Sequence, residues 1–324
     1  MKSNRKVAAL IASALLFSWH VSAIELKLAN VLPTSHNWNI AASGFADDVQ
    51  KQTDGRVSIK LFPNGQLGNE KNLVEGLQIG SLQAGLIGCG SLQPIDAKFG
   101  IVELPYSWPN RQAAYAAYDG ELGNKLETLA EKHHLKIVSW WENGYRHVTN
   151  NRAPVNRPED LAGLKIRVTP DKMRLDSFTA LGASPAPLAF GELYSALQQR
   201  VFDAQENPLS IIDSSSLYEV QKYLSLTGHV WAPACLVMSE SSWKRISAQD
   251  QATVQTLADK WRDEQRRLTQ QDDKELIGKL QEKGMQVNEV DPKLFAERVQ
   301  GVWETYQQVF GPELIDEVKR YSAQ

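Results

Sequence analysis

Between residues 25 and 88 the chain switches repeatedly between two hydrophobic periods, and this restricts the fold more than any other feature. Residues 25–30 alternate polar and apolar side chains as a strand does. In 40–53, Ala41, Phe45 and Val49 recur at helical spacing, and Gly55 stands where a glycine would end the helix. Residues 57–62 alternate again, Pro63-Asn64-Gly65 turns the chain, 69–79 reads as a second helix and 83–88 as a third strand. The order strand, helix, strand, helix, strand predicts a parallel sheet with right-handed crossovers. Ligands of such sheets collect beyond the carboxyl ends of the strands. Pro33-Thr34-Ser35-His36-Asn37-Trp38 follows the first strand there, and Gly88-Cys89-Gly90-Ser91 follows the third, with small residues that leave room for a guest.

A second block repeats the pattern. Residues 137–140 and 146–149 read as two strands, and 150–160 as a polar, proline-bearing connection. In 164–168, Leu164, Ile166 and Val168 share one face while Lys165 and Arg167 share the other. A helix over 172–181, an extended 185–188, a helix over 192–200 and a short strand over 202–205 lead to Glu206-Asn207-Pro208. Two α/β lobes therefore share the chain. Residues 248–283 form one long, proline-free helical stretch with a discontinuous apolar stripe of Val254, Leu257, Trp261, Leu268, Leu276 and Leu280, as expected of a surface helix packed along both lobes. Residues 285–287 and helices over 292–310 and 313–321 complete the body.

The amino terminus fixes the compartment. Lys2, Arg5 and Lys6 precede a mostly apolar run over 7–19, and Val21-Ser22-Ala23 supplies small residues for cleavage, so a signal peptide of residues 1–23 and a mature periplasmic chain from about Ile24 are expected. The apolar run is shorter than the roughly 20 residues that span a bilayer. Loss of its three cations takes the formal charge of −3 to −6. That mild acidity argues against nucleic acid, although one buried arginine can still outweigh it at short range for a small anion. The two cysteines, Cys89 and Cys235, each lie in an apolar, strand-like run. A disulfide is allowed in an oxidising compartment, but buried free thiols are the expected state.

The enzyme motifs are missing. Gly85-Leu86-Ile87-Gly88-Cys89-Gly90 is not the dinucleotide fingerprint, and no nucleophile elbow, P-loop, zinc pattern or H-E-x-x-H occurs. No catalytic residue, metal or cofactor is expected. His133-His134 reads as solvated; His36 could be a base, a metal ligand or a donor to a guest. Arg167 offers the parallel N–H pair that matches a carboxylate, yet a strand arginine also serves as a surface charge or ion-pair partner. Arg146 could pair with Glu142 across the turn, or line a pocket with nearby aromatic rings. Asn207, held extended by Pro208, is either a plain turn residue or a fixed amide donor.

Taken together, Gly163-Leu164-Lys165-Ile166-Arg167-Val168, Leu181-Gly182-Ala183-Ser184-Pro185, Phe190-Gly191-Glu192-Leu193-Tyr194 and Asp203-Ala204-Gln205-Glu206-Asn207-Pro208 closely resemble the extracytoplasmic solute-binding subunits of tripartite ATP-independent periplasmic (TRAP) transporters, the DctP family. The likeness extends over almost the whole mature chain. It implies a two-lobe periplasmic binding protein, a flytrap of α/β lobes bridged by a long helix, with lobe I formed by 24–144 plus 233–272 and lobe II by 145–232 plus 273–324. It implies that Arg167 pairs with the ligand carboxylate, that Arg146 and Asn207 complete the anion site, that Phe190 walls the pocket, and that Asn30, His36 and Trp38 face the cleft. The partners implied are a small organic acid and the transporter's membrane subunits, with a monomeric receptor. Sialic-acid receptors carry charged residues where this chain has Gly88, Cys89, Gly90 and Ser91, while the tract over 140–151 resembles the sugar-acid branch. A hexuronate or aldonate is therefore expected, with a C4-dicarboxylate as the alternative and a signalling role as a more distant one.

Overall fold

The computed structural model describes residues 23–323; the expected signal peptide falls almost wholly outside the described residues. Its framework is a ten-stranded mixed sheet. Strands β1 (Ile24–Ala29), β2 (Val57–Phe62) and β3 (Ala84–Gly88) are parallel neighbours, as the alternating periods predict. Helix α1 (Asn37–Gln52) buries Ala41, Phe45 and Val49 against them. It begins three residues before the predicted 40, because the His36 ring accepts from the Trp38 N–H and caps the first turn. Helix α2 (Glu70–Ile79) starts in a capping box of Asn69 with Asn72 and ends at left-handed Gly80.

The stretch expected as two strands, 137–140 and 146–149, is one: β4 runs from Leu135 to Asn150. Glu142, Asn143 and Gly144 interrupt the apolar alternation, so the sequence pattern breaks where the strand does not. The break instead marks a bulge. Pairing with antiparallel β9 (Trp231–Ser239) shifts register between Glu142 and Gly144, and Gly144 holds φ at 115°, which only glycine adopts without strain. Up to Tyr145, β4 pairs with β9; from Arg146 onward it pairs with β7 (Ala204–Pro208). Strands β5 (Lys165–Val168) and β6 (Ser184–Pro187) continue parallel beyond β7, while β8 (Tyr223–Leu226) joins β4 to β10 (Gln286–Glu289). Asn207 thus lies inside a buried strand, not in a turn.

The long helix Ala248–Glu282, about 50 Å at 1.5 Å per residue, packs on α1 and β4 near its start and on β10 near its end. Its apolar stripe is discontinuous for a structural reason. Midway, the buried face carries Gln265, Arg266 and Thr269. Gln265 accepts from the Glu142 N–H at 2.8 Å and donates to the Glu142 carbonyl at 2.9 Å, so the helix grips β4 by hydrogen bonds at the bulge. No helix among the described residues is long and apolar enough to cross a membrane.

The expectation of free thiols is wrong: Cys89 and Cys235 form a disulfide with Cα atoms 5.3 Å apart. They are 146 residues apart in sequence, and their adjacency appears only once β3 and β9 pair with Ile87 opposite Cys235. A cross-link closing so long a loop restricts the unfolded chain strongly. Replacing both cysteines by alanine should lower unfolding free energy in urea by about 2–5 kcal/mol, and adding reductant to the natural chain during unfolding should reproduce that loss.

Candidate functional site

Three adjacent strands bring Arg146, Arg167 and Asn207 together. Arg146 and His147 of β4 face Pro208 and Asn207 of β7 in register, and Arg167 of β5 lies opposite Gln205 of β7. All three are at most 2% exposed.

Their states differ. Arg146 is already neutralised. Its Nε donates to Glu206 Oε2 at 2.5 Å, and its Nη2 donates to Glu206 Oε1 and Asn207 Oδ1, both at 2.9 Å. Glu142, the neighbour that chain proximity offered it, instead accepts from Arg111, Tyr115 and Trp231, because the bulge at Gly144 separates the two side chains. Arg174, on the helix Lys172–Ala180, donates to Glu206 Oε1 at 3.1 Å and pairs with Glu103. His229 Nε2 lies 3.1 Å from Glu206 Oε2. Burial alone would raise the Glu206 carboxyl, but Arg146 and Arg174, with hydrogen bonds from His229 and Arg146, hold it well below the usual range. Sequence reading left Arg174 and Glu103 unnamed: neither sits in a diagnostic spacing. Glu206 was visible inside Q-E-N-P without a role.

Arg167 is the exception. Its Nε donates to the Leu188 carbonyl at 2.8 Å, whereas Nη1 and Nη2 are buried without any partner. Burial lowers its pKa to about 10 against the attraction of Glu70 and Glu206. The Phe190 ring lies 6.0 Å from its Cζ. Two buried, unpaired guanidinium nitrogens are an unmet demand for an anion.

A cavity of about 390 Å³ opens beside this group. Phe190, Arg146, Asn207 and Trp38 line it, together with Asn143, Arg174, Glu103 and an aliphatic wall from α2 and β3. Arg167 is not itself in the wall; Phe190, beside its guanidinium, is. The structure does not bring Asn30 or His36 there. Asn30 donates to Asn39 Oδ1 at 2.7 Å and accepts from the Leu32 N–H, shaping the first loop. His36 spends Nδ1 on the Trp38 N–H, so Nε2 carries the hydrogen and donates to Ser210 Oγ at 3.2 Å; burial pushes its pKa down to about 3. Of the small residues after β3, Gly88 lies open on the cavity, but the space beside Gly90 is taken, since a Cβ there would meet Glu103 Oε1 at 2.4 Å. Among the described residues no cluster of three or more His, Cys, Asp or Glu side chains could hold a metal.

Two α/β halves spanned by a long helix, with a cavity beside a buried anion-seeking arginine, define a solute-binding protein. The chain belongs to the DctP family, described as bacterial extracellular solute-binding protein, family 7, whose model matches residues 28–310. It is 33% identical over 278 residues to the 2,3-diketo-L-gulonate-binding periplasmic protein of Escherichia coli K12, covering 86% of this chain and 85% of that one. It is similar in structure to a TRAP periplasmic solute-binding protein from Polaromonas sp. JS666 bound to D-erythronate, with TM-score 0.89 and 33% identity, covering 92% and 98% of the two chains. A TRAP solute-binding protein from Sulfurospirillum deleyianum with bound succinate matches at TM-score 0.86 and 27% identity, covering 91% and 98%.

Glu206→Gln should leave Arg146 without its carboxylate, while Arg174 keeps Glu103 and Asp171, and cost about 3–5 kcal/mol of stability. Because the carboxyl pKa is depressed in the folded state, its contribution is present above the unfolded-state carboxyl range and is lost only as pH falls through the depressed value. Urea titrations of both forms should therefore show their difference shrinking only in strong acid.

Proposed function

We propose that this protein is the periplasmic receptor of a TRAP transporter, capturing a small organic acid and presenting it to the membrane subunits. The observation that carries this reading is the pair of buried, unpartnered Arg167 nitrogens beside the cavity. A carboxylate reaching them forms a charge-assisted pair where none now exists, with Asn207 and Arg146 fixing the approach. The lobes, 24–144 plus 233–272 and 145–232 plus 273–324, then close by hinge motion. The signal peptide is cleaved near Ile24, the receptor works as a monomer without cofactor, and it catalyses nothing. A sugar acid such as a hexuronate or aldonate draws support from the ligands named for the Escherichia coli and Polaromonas relatives; the C4-dicarboxylate alternative draws it from the succinate-bound one.

Arg167→Met is the decisive variant. Removing an uncompensated buried charge should stabilise the ligand-free protein by about 1–3 kcal/mol, while abolishing the rise in unfolding midpoint that a bound acid gives the natural chain. Thermal unfolding of both forms, with and without uronates, aldonates and C4-dicarboxylates, reads the two effects together. An acid-induced rise that survives in the variant removes Arg167 from the site.

A further inference from the structure

We infer that Gln93 and Glu103 form a latch between the lobes: they grip the first turn of the helix Lys172–Ala180, so that the cleft closes on the protein's own contacts as well as on a guest's. This rests on the two-lobe receptor reading above and adds what holds its lobes together.

The latch is built on lobe I. Two short turns, Cys89–Leu92 and Ala97–Glu103, follow β3, and the Cys89–Cys235 bond ties the first of them to β9. Gln93 comes directly after the first turn and Glu103 ends the second. The two turns interlock through glycines. A Cβ on Gly100 would overlap the Gln93 Nε2, and a Cβ on Gly90 would overlap the Glu103 Oε1, so each side chain lies over a glycine of the opposite turn. Both are thereby set in place by their own lobe, and both are buried, at 8% and 3% exposure.

What they hold belongs to lobe II. The helix Lys172–Ala180 follows β5, and the first N–H groups of a helix have no partner within it. Asp171 accepts from the Arg174 N–H at 2.8 Å, while Gln93 Oε1 reaches across the cleft and accepts from the Lys172 N–H at 2.7 Å. Glu103 pairs with the Arg174 guanidinium, which lobe II otherwise engages through Asp171 and Glu206. One neutral acceptor and one carboxylate from lobe I thus meet the electropositive end of a single helix in lobe II. Glu103 also forms part of the cavity wall, whereas Gln93 stands outside it. Gln93 therefore acts on capture through the lobes, without touching the guest.

Double electron–electron resonance on the mature protein tests the latch. Nitroxides go on Lys51→Cys and Gln198→Cys, exposed positions in lobes I and II, since both natural cysteines are held in the disulfide. Unfolding in urea with the disulfide intact, then refolding, clears any carried ligand. The natural chain should populate the separation seen in the structure and a longer one. Gln93→Met keeps the side chain's length but not its acceptor, and should lower the short-to-long ratio about fivefold, the usual effect of losing a helix-cap acceptor. Gly100→Ala, which displaces the Gln93 amide, should lower it too, and the two together no further than Gln93→Met alone, as expected of one shared contact. Glu103→Gln should lower the ratio by itself. Two populations that ignore all three substitutions, or only the longer separation in the natural chain, overturn the latch and leave the two-lobe receptor standing. One separation that no substitution moves overturns the hinged lobes and the latch together.

Discussion

Glu206 is the group on which the site depends. A fully buried carboxylate is stable only with cations at hand, and this one draws Arg146 from β4, Arg174 from the helix after β5, and His229 from the segment before β9 onto one point. Three separate stretches of chain are thereby held in fixed relation. The arrangement also explains why Arg167 remains unsatisfied: the carboxylate beside it is already shared between two other guanidinium groups. The two idle donors of Arg167, kept out of water, leave room for an acceptor brought from outside.

The cavity presents two kinds of surface. Beside it stands a buried guanidinium, Arg167, whose two free nitrogens would pair strongly with an anion in a low-dielectric setting. Aliphatic parts of the wall would add an attraction that is less directional and proportional to the area covered. Aliphatic surface comes from α2 and β3 on one side and from Phe190 and Ile211 on the other. A guest touching both surfaces at once would favour their approach, so the contacts that bind it would also draw the lobes together in the proposed closure.

Local order was largely legible in the sequence. The bounds of β2 agree with the alternation of residues 57–62, and Arg146, Arg167 and Asn207 were visible as candidates because they sit in short, regular strands. What escaped depends on contacts distant in sequence. The Cys89–Cys235 bond and the Arg174–Glu206 pair join elements whose proximity no local pattern encodes. The continuity of β4 through Glu142-Asn143-Gly144 was hidden because the buried Glu142 there is satisfied by Arg111 and by the long helix, both distant in sequence. Asn30 and His36 were placed in the cleft on family likeness, but their polar atoms are spent shaping the first loop and capping α1. An assignment by likeness cannot reveal whether a polar atom is already engaged.

The handover within β4 has a mechanical meaning. One strand belongs to both halves of the sheet, changing partners between Tyr145 and Arg146 with no loop between. A continuous strand transmits tension, so the halves cannot slide apart along its axis; what remains available is twist and bend at the bulge. Gly144 supplies the compliance there, and the Gln265 bonds to Glu142 tie the long helix to the same spot. A member stiff in tension and a joint open to torsion therefore lie within two residues of each other, and Arg146 stands just after the joint, where a small rotation moves it little.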